Sequence, residues 1–580
     1  MPDRIEAIVQ APDGEWLAFQ DPARVISADS VDGVRPALAD VERLNRDAGL
    51  HAVGFVAYEA GAAFGLDVQP PAGDLPFLWF GLFEPGYARR IDRPVAEADY
   101  RIDSMQPSLS FGEFETAFNQ IKSYLAAGDS YQVNFTFKMS GRFEGEPRAL
   151  FADLVDAQQG RHSAFIRIGT RVICSASPEM FFALDGLTVR SRPMKGTARR
   201  GRTLAEDQRL RDELRESAKQ QAENVMIVDM VRNDLGRVAE VGSVSVPELY
   251  AVERYPNVWQ MTSLVTARSG ASLEDLFAAM HPAASVTGAP KVRTMEILSA
   301  LERGPRGVYT GAIGHVPPDG NASFNVAIRT AVVDQRAGTI EFGIGSGIVW
   351  DSDAAAEYEE CLLKGSVIGR RPVRFDLLET LRWTPEEGYF LLDRHLDRLR
   401  DSAEYFGFTC DIEKVRAALD REVGGAGGPL RVRLMVGRDG ATHVEHVDLA
   451  IGQAAPLRLT IASEPIDPRD VSLFHKTTNR GVYERARENA EGFDEVILWN
   501  PLRQVTEATT ANVVVEMEGE RLTPPVECGL LGGTYRADLL ARGEVREQAI
   551  TLDDLRRASK IWIINSVHGS REGVLGSRSA

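Results

Sequence analysis

The sequence of 580 residues is poor in cysteine, and its few cysteines are isolated. The four cysteines are Cys174, Cys361, Cys410 and Cys528, and no two of them form a C-x-x-C pair. This spacing disfavours a zinc site or a disulfide framework, and it favours a reducing compartment.

Positive charge and long apolar runs are also scarce. Lys plus Arg number 66 against 84 Asp plus Glu, so the net charge is −18, which disfavours general binding to nucleic acid or to an anionic membrane surface. No apolar run approaches the ~20 residues of a membrane span. The N-terminus is charged where a signal peptide needs an apolar stretch. We therefore expect a cytoplasmic protein without nucleic-acid or membrane partners.

A change in composition near residue 370 divides the sequence. The run G-S-V-I-G-R-R-P-V-R-F mixes Gly, Pro and Arg as a linker does. We predict modules of 1–368 and 369–580 with an α/β (α+β) fold, each larger than a typical domain of about 150 residues. Local patterns predict strands at 54–64 and 77–83, a helix over 112–127, a β-hairpin over 163–177, and a helix over about 205–231.

Basic residues are concentrated in R-P-M-K-G-T-A-R-R-G-R at 192–202. In an acidic chain this run predicts local attraction for an anion, and a solvated basic loop is the alternative. Lys195 lies close to both Pro and Gly, which can hold a lysine beside a ligand. A desolvated lysine with a lowered pKa can act as a nucleophile.

Carboxylates form a second candidate set. Glu357 and Glu360 are three residues apart and share a helix face. Glu223 enters an apolar helical stretch, where a carboxylate needs a partner. Together they would suit Mg²⁺, which prefers oxygen ligands; ordinary surface ion pairs are the alternative.

Glycine-rich runs and one arginine form a third candidate set. The runs T-G-A-P-K (287–291), R-G-V-Y-T-G-A-I-G (306–314) and F-G-I-G-S-G-I-V (342–349) could bring backbone amides close to an anion or form tight turns. Arg329 ends an apolar strand, where it could bind a carboxylate or form a structural ion pair.

The order of these motifs resembles the chorismate-utilising family, which contains the large subunits of anthranilate and aminodeoxychorismate synthases. The matching runs include G-D-S-Y-Q-V-N-F-T, S-A-S-P-E-M-F, R-P-M-K-G-T, A-E-N-V-M-I-V-D-M-V-R-N-D-L-G-R, P-A-A-S-V-T-G-A-P-K and E-Y-E-E-C. The resemblance covers nearly all of the first module. It implies a two-sheet α/β sandwich.

The run P-M-K-G-T is similar to P-I-K-G-T of aminodeoxychorismate synthases, whereas anthranilate synthases have P-I-A-G-T. The resemblance implies that Lys195 attacks carbon 2 of chorismate, that Glu179 is the general acid/base, and that ammonia then enters carbon 4. Gln260 replaces a histidine of many relatives and would have a positioning role at most. The other implied residues are Glu223 and Glu360 with neighbouring Glu357 for Mg²⁺, and Thr287, Tyr309, Arg329, Gly345 and Gly347 for chorismate. No cysteine lies in a G-x-C-x-G glutaminase motif, so a separate glutamine amidotransferase subunit is expected to supply ammonia.

The second module resembles fold-type IV pyridoxal-phosphate enzymes, which include branched-chain and D-amino acid aminotransferases and aminodeoxychorismate lyases. The runs are L-L-D-R-H-L-D-R-L-R, S-L-F-H-K-T-T-N-R-G, V-T-E-A-T-T-A-N and C-G-L-L-G-G-T-Y-R. The resemblance implies a two-lobed module that usually dimerises. Lys476 would bind the cofactor, Glu507 would pair with its pyridine nitrogen, and Arg398 with the backbone of Thr534 and Tyr535 would hold its phosphate. N-S-V-H-G carries His568 where the lyase pattern N-S-x-R-G has arginine.

Both resemblances together imply a bifunctional enzyme of para-aminobenzoate and folate synthesis. It would aminate chorismate to 4-amino-4-deoxychorismate and then eliminate pyruvate. One alternative is an anthranilate- or isochorismate-type synthase fused to a branched-chain or D-amino acid aminotransferase-like module. Another is a degenerate second module that serves as a non-catalytic scaffold.

Overall fold

The computed structural model describes residues 5–71, 75–369, 371–450, 455–488 and 490–576, and the chain divides into two compact units. The first unit comprises Met1–Arg199 and Arg211–Pro372. The second comprises Arg200–Leu210 and Val373–Ala580. The segment 200–210 therefore belongs to the second unit, although it lies within the first module in sequence. Nothing in the sequence pattern indicated this exchange.

The first 372 residues form strands and helices in mixed order. Their strands are β1 (Ile5–Gln10), β2 (Trp16–Gln20), β3 (Arg24–Ala28), β4 (His51–Val56), β5 (Leu78–Phe83), β6 (Arg89–Ile91), β7 (Tyr100–Pro107), β8 (Gln132–Gly145), β9 (His162–Ile168), β10 (Arg171–Ser177), β11 (Met180–Asp185), β12 (Thr188–Arg192), β13 (Met194–Arg199), β14 (Ser245–Arg254), β15 (Val258–Arg268), β16 (Gly288–Ala289), β17 (Ala312–Val316), β18 (Ala322–Val326), β19 (Thr330–Asp334) and β20 (Thr339–Ile348). The helices are α1 (Val31–Ala48), α2 (Phe111–Ala127), α3 (Pro147–Gln158), α4 (Leu204–Glu216), α5 (Ala218–Gly236), α6 (Leu273–Met280), α7 (Lys291–Leu301) and α8 (Ala354–Gly365).

The strands of the first unit build two sheets. In the described residues, one sheet has the order β16-β8-β20-β19-β10-β9-β1-β2-β6 with β7 beside β8, and the other has the order β13-β15-β12-β11-β18-β17-β4-β5-β3 with β14 beside β15. Residues of both sheets share one buried cluster, which includes Val9, Phe55 and Ile173. In β1 and β4, successive side chains enter different clusters, as the period of two in a strand requires. The predicted two-sheet sandwich is confirmed.

Most of the local predictions are confirmed. Helix α2 begins at a capping box between Ser110 and Glu113 and ends at Gly128, whose φ of 79° suits glycine. The hairpin β9–β10 and strand β5 lie where the sequence predicts them.

Two local predictions were wrong. The strand predicted at 54–64 ends at Val56, and the small residues after it form a 3-10 helix over Tyr58–Phe64. The long helix predicted over 205–231 is two helices, because Ser217 caps a new helix by accepting a hydrogen bond from Gln220 N.

The second unit has two lobes, each with its own sheet, as predicted. Its strands are β21 (Leu377–Thr384), β22 (Gly388–Tyr389), β23 (Leu430–Val436), β24 (Thr442–Asp448), β25 (Leu457–Ile461), β26 (Glu495–Trp499), β27 (Val505–Ala508), β28 (Asn512–Met517), β29 (Glu520–Thr523), β30 (Arg546–Glu547), β31 (Lys560–Asn565) and β32 (Gly569–Leu575). Its helices are α9 (Leu392–Phe406), α10 (Ile412–Glu422), α11 (Gly481–Arg487), α12 (Thr534–Ala541) and α13 (Leu552–Arg557). The described strands form the orders β22-β21-β23-β24 and β27-β26-β25-β32-β31-β28-β29-β30. Within the ranges described above, no helix is long and apolar enough to cross a membrane.

Candidate active sites

Lys195 lies on a β-bulge of β13. The pairing with β15 shifts between Met194, opposite Thr262, and Thr197, opposite Gln260, so β13 carries one extra residue. Gly196 in the bulge has a φ of 103°, a conformation that favours glycine. Bulges of this kind re-aim a side chain out of the regular ladder, and here the re-aimed residue is Lys195.

The lysine bulge is held by α5 of the same unit. Asn224 Nδ2 donates to the backbone oxygen of Lys195 at 3.0 Å, and Ser263 Oγ donates to Asn224 Oδ1 at 2.6 Å. The neighbouring Glu223 places its Oε2 3.6 Å from Lys195 Nζ. One turn of α5 therefore fixes the lysine backbone and gives its amine a carboxylate partner.

Gln260 contacts the same bulge with both ends of its amide. Its Nε2 donates to the oxygen of Gly196 at 2.9 Å, and its Oε1 accepts from Thr197 Oγ1 at 2.9 Å. These contacts hold the two residues that follow Lys195. They fit the positioning role expected for Gln260, which stays a prediction.

Glu179 is 4% exposed and lies next to the lysine bulge. Burial raises the pKa of Glu179 to about 7, although hydrogen bonds from the Ser285 side chain and the Met194 backbone oppose this rise. Because Met194 directly precedes Lys195, the carboxyl and the lysine belong to one site. A carboxyl that is half protonated near pH 7 suits a general acid.

Arg329 and α8 complete this region. The Arg329 guanidinium donates to the oxygen of Lys364 at 2.8 Å, and Lys364 Nζ lies 2.6 Å from Glu360 Oε1 and 3.0 Å from the oxygen of Gly345. Partial burial raises the pKa of Glu360, but Lys364, Lys195 and Arg329 outweigh it, and the pKa is lowered overall. Glu360 therefore interacts electrostatically with both Lys195 and Arg329.

The three predicted Mg²⁺ ligands, Glu223, Glu357 and Glu360, form only part of a coordination shell. Glu223 faces Lys195, and the charge of Lys195 also reaches Glu360. Among the described residues, no group of three or more His, Cys, Asp or Glu side chains is close enough to hold a metal. Glu357 lies one turn before Glu360 on α8. Two carboxylates still fit Mg²⁺, because this ion commonly takes one or two protein carboxylates and completes its shell with substrate oxygens and water.

The remaining chorismate candidates surround strand β20. A Cβ added at Gly347 would lie 3.1 Å from Lys195 Nζ and 3.1 Å from Gln132 Nε2, so this glycine keeps the space beside the lysine open. The Tyr309 ring packs directly over Gly343. Thr287 is fully buried, and its hydroxyl donates to the backbone oxygen of Ala283 at 3.1 Å.

The basic run at 192–202 has less free positive charge than its composition suggests, and its attraction for an anion stays a prediction. Most of its arginines are neutralised by carboxylates that approach from other strands and helices. The pairs are Arg192 with Glu248 and Glu253, Arg200 with Asp207, and Arg202 with Glu206.

A second site lies in the second unit, around the half-buried Lys476. Burial lowers the pKa of Lys476 to about 8, and the positive charge of Arg398 lowers it further, while Glu379 and Glu507 oppose the change. Such an amine is partly neutral near physiological pH, as a carbonyl-binding lysine must be.

Glu507 lies beside Lys476 and is buried. Burial raises the pKa of Glu507 to about 8, against hydrogen bonds from the Tyr483 side chain and the Leu531 backbone and the charges of Arg480 and Lys476. The Tyr483 hydroxyl donates to Glu507 Oε1 at 2.7 Å. A protonated ring nitrogen placed here would supply the positive partner that this carboxylate needs.

Arg398 and the start of α12 form the third part of this site. Arg398 makes two hydrogen bonds to Glu379, at 2.9 and 2.7 Å, and one to the oxygen of Gly532 at 3.3 Å. His395 donates from Nδ1 to Glu379 at 2.6 Å, and its Nε2 lies 3.2 Å from Thr534 Oγ1. The glycine loop enters α12 at Gly533, as predicted, so helix amides and Arg398 converge where a phosphate could bind.

Pyridoxal phosphate fits this donor set, because the lysine, the ring-nitrogen partner and the phosphate seat are within one unit. Tyr535 follows Thr534 in the first turn of α12, and its ring lies 5.9 Å from that of Phe390. Burial lowers the pKa of His568, as do the charges of Arg571 and Arg431.

Several residues of both sites were missed from the sequence. Glu379 is a carboxylate within the apolar strand L-L-E-T-L, and His395 lies three residues before Arg398, so both patterns could have indicated a buried network. Asn224 directly follows Glu223. No sequence pattern indicated Tyr483.

Comparison with known proteins matches the two modules to two different families. Residues 6–370 match the family described as chorismate binding enzyme, and residues 376–572 match amino-transferase class IV. The chain is 42% identical over 269 residues to aminodeoxychorismate synthase component 1 of Klebsiella aerogenes, covering 46% of this chain and 59% of that protein. It is 39% identical over 286 residues to anthranilate synthase component 1 of Streptomyces coelicolor, covering 48% of this chain and 56% of that protein. The chain thus spans less than two thirds of these relatives. The solved anthranilate synthase component I of Streptococcus pneumoniae shares the fold, with a TM-score of 0.52 and 24% identity over 64% of this chain and 93% of that one.

Proposed function

This chain belongs to the chorismate binding enzyme family, which its residues 6–370 match, and from this premise we propose a bifunctional route to 4-aminobenzoate. Module 1–368 aminates chorismate to 4-amino-4-deoxychorismate. Module 369–580 then eliminates pyruvate from that product. The observation that carries the proposal is Lys195, placed on a bulge with its amine beside Glu223 and the open space at Gly347.

Lys195 is the nucleophile of the first reaction. The Lys195 amine gives a proton to Glu223 and forms a bond to carbon 2 of the ring, both ring double bonds shift, and the 4-hydroxyl leaves as water with a proton from Glu179. Ammonia then bonds to carbon 4, the double bonds shift back, and the bond between carbon 2 and the Lys195 nitrogen breaks. The new amino group returns a proton to Glu179, and Glu223 returns its proton to Lys195. The raised pKa of Glu179 supports this assignment, because the acid must still hold a proton near neutral pH.

Binding residues orient chorismate around this lysine. Arg329 suits a carboxylate of the substrate, since its guanidinium is largely removed from solvent and interacts electrostatically with Tyr309 and Glu360. Glu223 and Glu360 would hold Mg²⁺. When bound, the ion would neutralise the ring carboxylate of the substrate.

Ammonia comes from a partner in this proposal. The sequence has no glutaminase cysteine motif, so a separate glutamine amidotransferase subunit supplies it. All four cysteines are without disulfides, which supports a cytoplasmic setting. A homodimer through the second module stays part of the proposal, and sedimentation of the purified protein would test it.

The second module carries the lyase step. Bound pyridoxal phosphate would supply an electron sink. Lys476 holds the cofactor and moves the proton at the substrate carbon, for which its pKa of about 8 is suited. Glu507, fixed by Tyr483, keeps the ring nitrogen protonated, and Arg398 with the start of α12 binds the phosphate.

A lyase is favoured over an aminotransferase because the first module makes an amino compound that still carries an enolpyruvyl group. Elimination of pyruvate from that compound gives an aromatic ring. An aminotransferase in this position would have no substrate made by its own chain. The alternative assignment, an anthranilate- or isochorismate-type synthase with an aminotransferase, is disfavoured by Lys195.

The test is product analysis with the purified full chain. Chorismate, ammonia, Mg²⁺ and pyridoxal phosphate should give 4-aminobenzoate and pyruvate. Lys476→Ala should stop at 4-amino-4-deoxychorismate, and Lys195→Ala should leave chorismate unchanged. Anthranilate or salicylate as the product would contradict the proposal. Use of glutamine by the chain alone would contradict the need for a partner.

A further inference from the structure

The segment Arg200–Leu210 of the second unit contains a buried ion pair. Arg200 makes two hydrogen bonds to Asp207, each of 2.7 Å, and the two side chains are only 6% and 2% exposed. Asp207 also accepts from the backbone of Gly201 at 2.8 Å. A buried, doubly bonded pair of this kind gives the segment one fixed conformation, since breaking it would leave a charge without solvent.

The segment is bonded to the C-terminal end of α9. Arg200 donates to the backbone oxygen of Tyr405 at 2.9 Å, and its guanidinium lies 4.4 Å from the centre of the Tyr405 ring. The Tyr405 hydroxyl returns a hydrogen bond to the oxygen of Gly201 at 2.6 Å. Helix α9 is also the helix that carries Arg398 and His395.

The segment 200–210 also contacts His475, through the backbone of Arg202. The His475 Nε2 lies 3.1 Å from the backbone oxygen of Arg202, so Nε2 carries the proton and donates. Its Nδ1 then accepts from Ser402 Oγ at 3.0 Å, because burial lowers the pKa of His475 to about 4 and keeps the ring neutral. The ring also packs on Tyr405, with centroids 4.4 Å apart.

His475 directly precedes Lys476. The side chains of these two residues have different surroundings. The His475 ring contacts Arg202, Ser402 and Tyr405. The Lys476 amine interacts with the charged groups of the second site, which are Arg398, Glu379, Arg480 and Glu507. The backbone oxygen of Lys476 accepts from Leu378 N at 2.9 Å. Lys476 is thus held by strand β21 on one side and by His475 on the other.

We propose that the segment 200–210 is a positioning element of the second site, acting through His475 to fix Lys476 for pyridoxal phosphate. The inference rests on the proposed function of the second module. It assigns no catalytic role to Arg200, Asp207, Tyr405 or His475. It also means that part of the lyase site is encoded within the sequence of the synthase module.

The test compares variants of the full chain without cofactor. His475→Phe removes both ring hydrogen bonds, and Tyr405→Phe removes only the bond to Gly201. Arg400→Met on α9 is the control, because Arg400 makes an exposed ion pair with Asp397. Two quantities are measured with pyridoxal phosphate as the probe: its dissociation constant, and the pH midpoint of its rate of uptake, which reports the ionisation of the Lys476 amine.

His475→Phe should weaken cofactor binding about tenfold and Tyr405→Phe about fivefold, as expected for lost buried hydrogen bonds. The uptake midpoint should rise from about pH 8 toward that of a free lysine, because a displaced amine escapes burial and Arg398. A smaller folded fraction alone would not move this midpoint. The double variant should bind pyridoxal phosphate no more weakly than His475→Phe does, since both substitutions act on Lys476 through His475.

Three outcomes would overturn the inference. One is an unchanged midpoint in both single variants, another is full additivity in the double variant, and the third is an equal effect of Arg400→Met. Failure of the proposed function is recognised separately. In that case the wild-type chain itself would show no pyridoxal-phosphate absorbance band that Lys476→Ala removes.

Discussion

Replacing Glu179 by Gln should abolish amination and, at the same time, make the protein more stable at alkaline pH. Gln keeps the size of the side chain and its capacity to accept from Ser285 and the Met194 backbone, but it cannot ionise or donate a proton as an acid. The two effects have one cause, which is the burial of the Glu179 carboxyl. Substitution of a residue that only stabilises the fold would not produce a loss of amination together with a gain of stability at alkaline pH.

The size of the stability effect follows from the pKa. Burial raises the pKa of Glu179 from 4.5 to about 7, which at about 1.4 kcal/mol per pKa unit corresponds to roughly 3 kcal/mol. The folded protein holds this proton more tightly than the unfolded chain does. Stability from this group is therefore complete below pH 4.5 and is lost as the pH rises through about 7. The Glu179→Gln variant avoids that loss. The difference in free energy of unfolding between the variant and the wild type should therefore be absent at pH 4.5 and approach about 3 kcal/mol in favour of the variant at pH 8.

The assay measures thermal unfolding at pH 5 and pH 8 together with kcat/KM for chorismate at a fixed concentration of free ammonia. In the wild type, kcat/KM should fall above about pH 7 as Glu179 loses its proton. Glu341→Gln is the matched control, because Glu341 is exposed and its ion pair with Lys138 lies at the surface. Wild-type amination by Glu179→Gln would refute the acid assignment. An equal change of unfolding temperature at both pH values would refute the buried-acid reasoning.

Further predictions concern both sites. Gly347→Ala should lower kcat/KM for chorismate about 100-fold without changing cofactor absorbance, because the added methyl would lie 3.1 Å from Lys195 Nζ. Glu379→Gln should weaken pyridoxal-phosphate binding roughly tenfold in absorbance titrations, because it removes the carboxylate that orients Arg398. Although burial opposes it, Arg398 and His395 lower the pKa of Glu379 to about 2, so its stabilisation should be present above pH 4.5 and lost as the pH falls toward 2. Removal of divalent cations with EDTA should stop amination until Mg²⁺ is restored, and the cofactor band should not change.

Local structure was predictable where neighbouring residues determine it. The capping box of Ser110 and the glycine after α2 set both ends of that helix, and the hairpin at 163–177 follows from alternation around a short turn. Both modules were recognisable because their motifs keep a family order along the chain. The break at Ser217 was missed because a serine within a helical pattern is equally compatible with a cap or with an exposed helix position.

By itself, the sequence determined the two modules, their fold classes and the candidate residues Lys195, Glu179 and Lys476, since these depend on residue type and order. Only the tertiary structure decided which charges meet. It paired Arg192 and Arg200 of the basic run with carboxylates from other elements, and it assigned the segment 200–210 to the unit that holds Lys476. The reason is physical: burial and distant ion partners control ionisation and orientation, and neither can be read from the neighbours of a residue in sequence.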